Sequence, residues 1–291
     1  MLDSLRIQPA VNATPDSRGV AAAGSGTRRG QDDRHRGRTV AITGASGALG
    51  QALLRRWHDR GAQLIALCHG DRPLRLHDGQ GQLIPLRQQR WQVGEEEALR
   101  QLLAEVDVLV LNHGVNVHGQ RGAEATRLSL EVNALSTWRL LELFAEVVSE
   151  RDAAGGLAGE GQPKAGEGLP GAGGRLPEVW INTSEAEIQP ALSPLYEISK
   201  RLIGQLLSLR APLLNRRLRL RRLVLGPFHS ALNPIGLMGA DFVAATILVQ
   251  ADWGWNLIVV TPNPLTYIVM PLVALSRWLY FSLMGRAGDS S

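Results

Sequence analysis

Tyr196 and Lys200 stand four residues apart in L-Y-E-I-S-K, in a chain with three Tyr and, among 31 basic residues, two Lys. A helix would put both side chains on one face, a turn apart. A phenol left alone, with a pKa near about 10, is a poor proton-transfer group at neutral pH. An ammonium beside it favours the phenolate. Lysine supplies that charge as a compact point on a flexible stem, which the planar fork of arginine does not. The other Lys, Lys164, falls in a Gly-rich stretch, which leaves Lys200 as the lysine of the folded part.

Such a site must be positioned, and must have something to act with. T-G-A-S-G-A-L-G, residues 43–50, follows an apolar run and opens a helical pattern. In a strand–turn–helix setting, Gly44, Gly47 and Gly50 allow a tight turn, close approach of a pyrophosphate and helix–strand packing. The free N–H groups of the helix then face the phosphates. The next strand ends Cys68-His69-Gly70-Asp71-Arg72. An acid at that point would hold the ribose hydroxyls of NAD, and a base would accept the 2′-phosphate of NADP. His69 and Arg72 favour NADP; Asp71 keeps NAD as the alternative.

The surrounding pattern alternates. Strands are expected at 39–43, 63–68, 106–112, 179–184, 220–227 and 256–260, with helices at 48–60, 95–105, 123–150, 193–210 and 239–251. Strands alternating with helices imply one parallel sheet covered on both faces, a doubly wound Rossmann α/β domain. Residues 1–37 read as a disordered tail, and 152–177 as a flexible Gly-rich insertion in a loop. Residues 38–262 are then the domain, and 263–291 a hydrophobic appendage.

With these motifs in order, the chain resembles the short-chain dehydrogenase/reductase family over residues 38–262. Thr43, Gly44, Gly47 and Gly50 match its glycine motif, with Ser46 and Leu49 inside it. Leu111-Asn112-His113-Gly114 matches its Asn-Asn-Ala-Gly, and Asn133 in E-V-N-A-L-S its helix Asn. Gly226-Pro227 stands where the family has Pro-Gly, reversed. The resemblance implies carbonyl–alcohol interconversion by hydride transfer, with Tyr196 as proton donor and Ser184 on the substrate oxygen. Lys200 would also hold the nicotinamide ribose, and Asn133 a water joining Lys200 to solvent. It also implies cofactor contacts from Thr43, Ser46, Leu49, His69, Asn112, His113, Gly114 and Pro227, and a homo-oligomer built through the helices at 123–150 and 193–210.

Three departures stand out. The middle glycine sits one place earlier than in the commonest catalytic branch, as in the extended and atypical branches. His113 replaces Ala. The family's Ser, thirteen residues before the Tyr, would land on Thr183; Ser184, one later in I-N-T-S-E-A-E, is the first choice for that role and Thr183 the alternative. Longer passages, among them N-H-G-V-N-V-H-G, S-P-L-Y-E-I-S-K and L-G-P-F-H-S-A-L-N-P-I-G, are similar to a cyanobacterial group labelled sterol desaturase/short-chain dehydrogenase. The sequence lacks the His-box clusters of a diiron desaturase, so only the dehydrogenase half is implied. A cofactor-binding sensor without turnover is the alternative. An extended-type epimerase acting on nucleotide sugars fits less well, because the chain after the sixth strand is too short and too apolar for a sugar-nucleotide domain.

Composition bounds the rest. Cys68 is the only cysteine, which fits a reducing, cytoplasmic setting and a buried rather than reactive thiol. The net charge of +4 is carried by Arg. Its densest run, N-R-R-L-R-L-R-R-L at 215–223, reads as a solvated face or a lipid-facing one, without the aromatics or motif of a nucleic-acid binder. His113 and His118 lack further ligands at metal spacing. Leu265–Met284 is long enough to span a bilayer, but Pro271 and Arg277 interrupt it. Its aromatics suit an interfacial anchor that brings an apolar substrate to the site.

Overall fold

A computed structural model describes residues 35–156, 175–214, 217–231, 233 and 235–284. Seven strands form one sheet in the order β3-β2-β1-β4-β5-β6-β7, with every neighbouring pair parallel. They are β1 (Thr39–Thr43), β2 (Gln63–Cys68), β3 (Arg87–Arg90), β4 (Val108–Leu111), β5 (Glu178–Ser184), β6 (Arg219–Leu225) and β7 (Leu257–Val260). The helices are α1 (Ala48–His58), α2 (Arg100–Leu103), α3 (Ala123–Leu130), α4 (Ser136–Gly156), α5 (Pro194–Leu214), α6 (Ala240–Asp252) and α7 (Pro264–Met284).

Alternation along each strand divides the core in two. Val40 and Ile42 face α1 and α6 with Val108, Val110, Trp180 and Leu223. Ala41 faces α4 and α5 with Leu109, Leu111, Val179 and Ile181. Because both faces are covered, these strands read as continuous apolar runs. The strand order reverses between β1 and β4, and a crevice opens there at the carboxyl ends of the strands, where doubly wound sheets bind ligands.

Five expectations change against the structure. β3, R-Q-Q-R, has no apolar residue to announce it; it adds to the sheet edge beside β2. The helix expected at 123–150 is interrupted by a π-turn at Glu131–Leu135. Of the expected tail, residues 1–34 lie outside the described residues, but His35 bonds Asp252 at 2.8 Å and packs edge-on against Trp57. The insertion's residues 157–174 also lie outside, while α4 runs on to Gly156.

The fifth change is the largest. The arginine run is a solvated face only in part: Arg217 and Arg219 are exposed, but Arg221 and Arg222 lie on an interior strand and are buried. Arg221 Nε donates to Glu178 Oε2 at 2.6 Å, and Arg38 Nη1 to Glu178 Oε1 at 3.0 Å. Burial alone would raise the Glu178 carboxyl, but the guanidinium of Arg221, with that of Arg38, holds it down to about 2.

Candidate active site

The glycine turn forms the floor of the crevice. Gly44 has φ +62°, a left-handed conformation that disfavours any side chain. A Cβ on Gly50 would stand 2.4 Å from the carbonyl oxygen of Gly44, so only glycine lets α1 start this close to the turn. Gly47 caps α1 without a side-chain acceptor, and no acid occupies the first turn. The N–H groups of that turn are therefore directed at the crevice with no side-chain anion to satisfy them, as a pyrophosphate requires. The donor set fits a dinucleotide.

Thr43 ties the two strands that flank the opening. Its Oγ1 accepts from the N–H of Asn112 at 2.9 Å and meets His113 Nδ1 at 2.8 Å. His113 Nε2 meets Ser136 Oγ at 3.3 Å, and Trp91 packs edge-on against the ring. Burial, and then the charge of Lys200, push His113 down to about 4, so it is neutral at pH 7. The position that holds a small residue in the resemblance is thus filled by a neutral ring wedged between β4, α4 and the end of β3. Beyond β2, His69 and Arg72 are exposed, and Asp71 pairs with Arg90 at 3.3 Å. Cys68 is buried, and burial raises its thiol. Ser46 and Leu49 sit in the turn and first helical turn, with Leu49 in the core. Gly114 packs under Asn133, where a Cβ would meet Oδ1 at 3.1 Å. Pro227 follows β6, and its carbonyl accepts from Leu237 N at 3.0 Å.

Tyr196, Lys200 and Ser184 come together above this floor. Lys200 is 4% exposed, and its Nζ donates to the carbonyl of Asn182 at 3.1 Å. Nζ also lies 5.5 Å from the centre of the Tyr196 ring. Asn182 in turn donates to Asn112 Oδ1 at 2.8 Å, joining the two strand ends. Ser184 closes β5, accepts from Ala186 N at 3.2 Å and hydrogen-bonds Tyr196. Thr183 points to the opposite face of the sheet, where its hydroxyl donates to Leu223 O at 3.1 Å and is buried. Strand alternation thus separates the two candidates. Ser184→Ala is expected to lower kcat by about 10²–10³-fold, and Thr183→Val to leave kcat within a factor of about two while costing about 1 kcal/mol of stability. Steady-state kinetics and urea melts of the two variants check this.

Burial pushes the Tyr196 phenol up; the Ser184 hydrogen bond lowers it, and the charge of Glu185 adds to the rise. The phenol therefore holds its proton in this arrangement and has to release it before it can serve as a base. Burial pushes Lys200 down to about 8, against the field of Glu187. Asn133 lies in the π-turn, but its side chain is taken up by Val115: Oδ1 accepts from Val115 N at 2.8 Å and Nδ2 donates to Val115 O at 2.9 Å. Nδ2 also donates to Ser199 Oγ at 3.1 Å. It pins the loop after β4 to α5. His118 lies apart, exposed and at φ +52°. Among the described residues no group of three His, Cys, Asp or Glu could hold a metal ion.

Sequence reasoning missed Glu185 and Glu187 as charges acting on this pair. Their place directly after Ser184 in S-E-A-E was the available signal.

The profile of the family described as "NAD dependent epimerase/dehydratase family" matches residues 40–152. A curated protein of Synechocystis sp., monoglucosyldiacylglycerol epimerase, is 41% identical over 247 residues, which are 84% of this chain. The chain spans 54% of that protein's length, about half of it. That relative bears the name of an epimerase, which corrects the desaturase/dehydrogenase label drawn from resemblance. Among solved structures, a short chain dehydrogenase from Burkholderia cenocepacia in complex with NADP is similar with a TM-score of 0.63 at 16% identity, over 85% of this chain and 97% of that one. NADPH-dependent 3-quinuclidinone reductase from Rhodotorula rubra gives 0.60 at 17%, over 87% and 98%. Aldohexose dehydrogenase from Thermoplasma acidophilum gives 0.58 at 16%, over 78% and 94%. The chain thus has the Rossmann-type fold of the short-chain dehydrogenases, and its first half carries the sequence profile of the NAD-dependent epimerases and dehydratases.

Proposed function

We propose that this chain is an NADP(H)-dependent enzyme, with NAD as the alternative cofactor, that epimerises a hydroxyl-bearing sugar carbon on a glycolipid. The observation that carries it is the Tyr196–Lys200–Ser184 group above the glycine turn, in a chain 41% identical to a glycolipid epimerase. When bound, the cofactor supplies a hydride acceptor that later returns the hydride. Tyr196 takes the proton of the sugar hydroxyl as that carbon is oxidised, and gives it back when the carbon is reduced from its other face. Ser184 holds the oxygen throughout. Lys200 steadies the phenolate. The turn at Gly44–Gly50 and the start of α1 would hold the pyrophosphate, Thr43, Asn112, His113, Gly114 and Pro227 would contact the nucleotide, and His69 and Arg72 would meet a 2′-phosphate.

An epimerase ranked below carbonyl reduction in the sequence because the residues after β6 read as too apolar for a sugar nucleotide. That objection falls for a lipid-linked sugar, which needs no nucleotide pocket and whose acyl chains need an apolar surface. α7 offers one: Leu265, Ile268, Leu272, Leu275, Leu279 and Leu283 are all exposed. The helix is long and apolar enough to cross a membrane. Its docked stripe of Thr266, Met270 and Arg277 instead fits a helix lying against the bilayer surface. Leu128, Leu135, Leu209 and Leu213, exposed on α3 to α5 and the π-turn, suit a homo-oligomer.

Net carbonyl–alcohol interconversion would use the same residues, and cofactor stoichiometry separates the two. The test is full-length protein with vesicles containing monoglucosyldiacylglycerol and oxidised cofactor far below the lipid concentration. Accumulation of the epimer over many turnovers supports the proposal. Product limited to the amount of cofactor favours net oxidation. Cofactor binding without any product favours a sensor.

A further inference from the structure

The turn after Ser184 carries two carboxylates that the proton transfer above does not use. Glu185 Oε2 accepts from Thr261 Oγ1 at 2.6 Å and from Thr266 Oγ1 at 3.3 Å. The Glu187 side chain is 0% exposed, and accepts from Arg222 Nε at 3.0 Å and Arg277 Nη1 at 3.0 Å, with a further short contact from Arg222 Nη2. Gln189 donates to Thr266 Oγ1 at 2.6 Å and accepts from Asn263 Nδ2 at 2.8 Å. Each polar side chain of residues 185–189 is therefore held from α7 or from the segment leading into it.

The carboxylate of Glu187 also has a place made for it on the lysine's own helix. Gly204 lies one turn beyond Lys200 on α5, and a Cβ there would stand 1.9 Å from Glu187 Oε2. Two guanidiniums against one buried carboxylate leave a net positive charge in the interior, which stability alone does not favour.

We infer that Glu187 and Arg277 are positioning residues that act on the reaction through Lys200, which makes α7 a working part of the site. The groups facing Lys200 are the Asn182 carbonyl on β5, the Tyr196 ring on α5, neutral His113 after β4, and Glu187. Glu187 opposes the effect of burial on the ammonium. The groups facing Glu187 are Arg222 on β6 and Arg277 on α7, with Arg201 of α5 acting on Arg277. The carboxylate, seated against Lys200's own helix at Gly204, favours the charged form of Lys200, and Arg277 shares that carboxylate.

The inference rests on Tyr196 and Lys200 as the proton-transfer pair, but its test does not need turnover. The chain has two lysines, so carbon-13 lysine labelling of the full-length protein gives two side-chain NMR signals, and Lys164→Arg assigns them. In the Glu187→Gln/Arg277→Met double variant, which strands neither partner of that pair, the Lys200 midpoint falls by about one pH unit. In Arg277→Met alone, where Glu187 keeps Arg222, it rises. Wherever turnover is measurable, the alkaline limb of kcat moves with the midpoint, KM stays within about twofold, and Arg277→Lys restores the wild-type profile. Unchanged midpoints in variants that keep wild-type circular dichroism and cofactor binding would overturn the inference, as would shifts in the same direction in both variants, the mark of mere loosening. Opposed shifts without turnover on any glycolipid would uphold it and overturn only the epimerase reading.

Discussion

Replacing Tyr196 with Phe is expected to lower kcat by about 10²–10⁴-fold, the range that a positioned acid–base group contributes, while cofactor affinity stays within about twofold. The change removes one hydroxyl and keeps the ring over which Lys200 sits. Ser184 loses one partner but keeps Ala186 N, so the strand end keeps its shape. Cofactor titration by fluorescence and steady-state kinetics on the same preparation separate the two quantities. A variant that keeps wild-type kcat would move the proton transfer to another group.

The second large effect belongs to Gly50→Ala. The added Cβ would meet the Gly44 oxygen at 2.4 Å and Ala45 Cα at 2.8 Å, both backbone atoms that cannot swing aside. Either α1 moves off the sheet or the turn opens. Forced overpacking of this kind costs about 1–3 kcal/mol. Spent on the pyrophosphate cradle, that is up to about a 100-fold loss in cofactor affinity. Gly47 makes a sharper comparison, because its Cβ would meet one atom, the Gly44 oxygen, at 3.2 Å. Gly47→Ala should therefore cost less than Gly50→Ala, in both the cofactor titration and the thermal melt.

Local features of the sequence carried the fold and the centre of the site. The glycine turn is legible because strand, turn and helix lie within a dozen residues. Tyr196 and Lys200 are legible because one helical turn fixes their relation. Ser184 and Thr183 are adjacent, and only the register of β5 against β6 assigns each to a face. The Glu187–Arg222–Arg277 cluster was out of reach, since its members are 35 and 90 residues apart and meet only through packing. Arg221 and Arg222 misled for the same reason: a basic run looks solvated until its carboxylates arrive from β5 and the turn after it. β3 was silent because an edge strand needs no apolar face. Arg277 argued against a simple membrane span in the sequence; folded, it turns inward to Glu187 and leaves the outer face of α7 to apolar side chains.

The central claim is that a hydride leaves and returns to one sugar carbon while Tyr196 handles the proton. The most direct test uses monoglucosyldiacylglycerol carrying deuterium on the carbon that is inverted, in vesicles, with full-length protein and a trace of oxidised cofactor. The account predicts an epimer that keeps its deuterium on that carbon in ordinary water, and no such product from Tyr196→Phe. Deuterium replaced by solvent hydrogen, or epimer formed at an unchanged rate by cofactor-stripped protein, would contradict it.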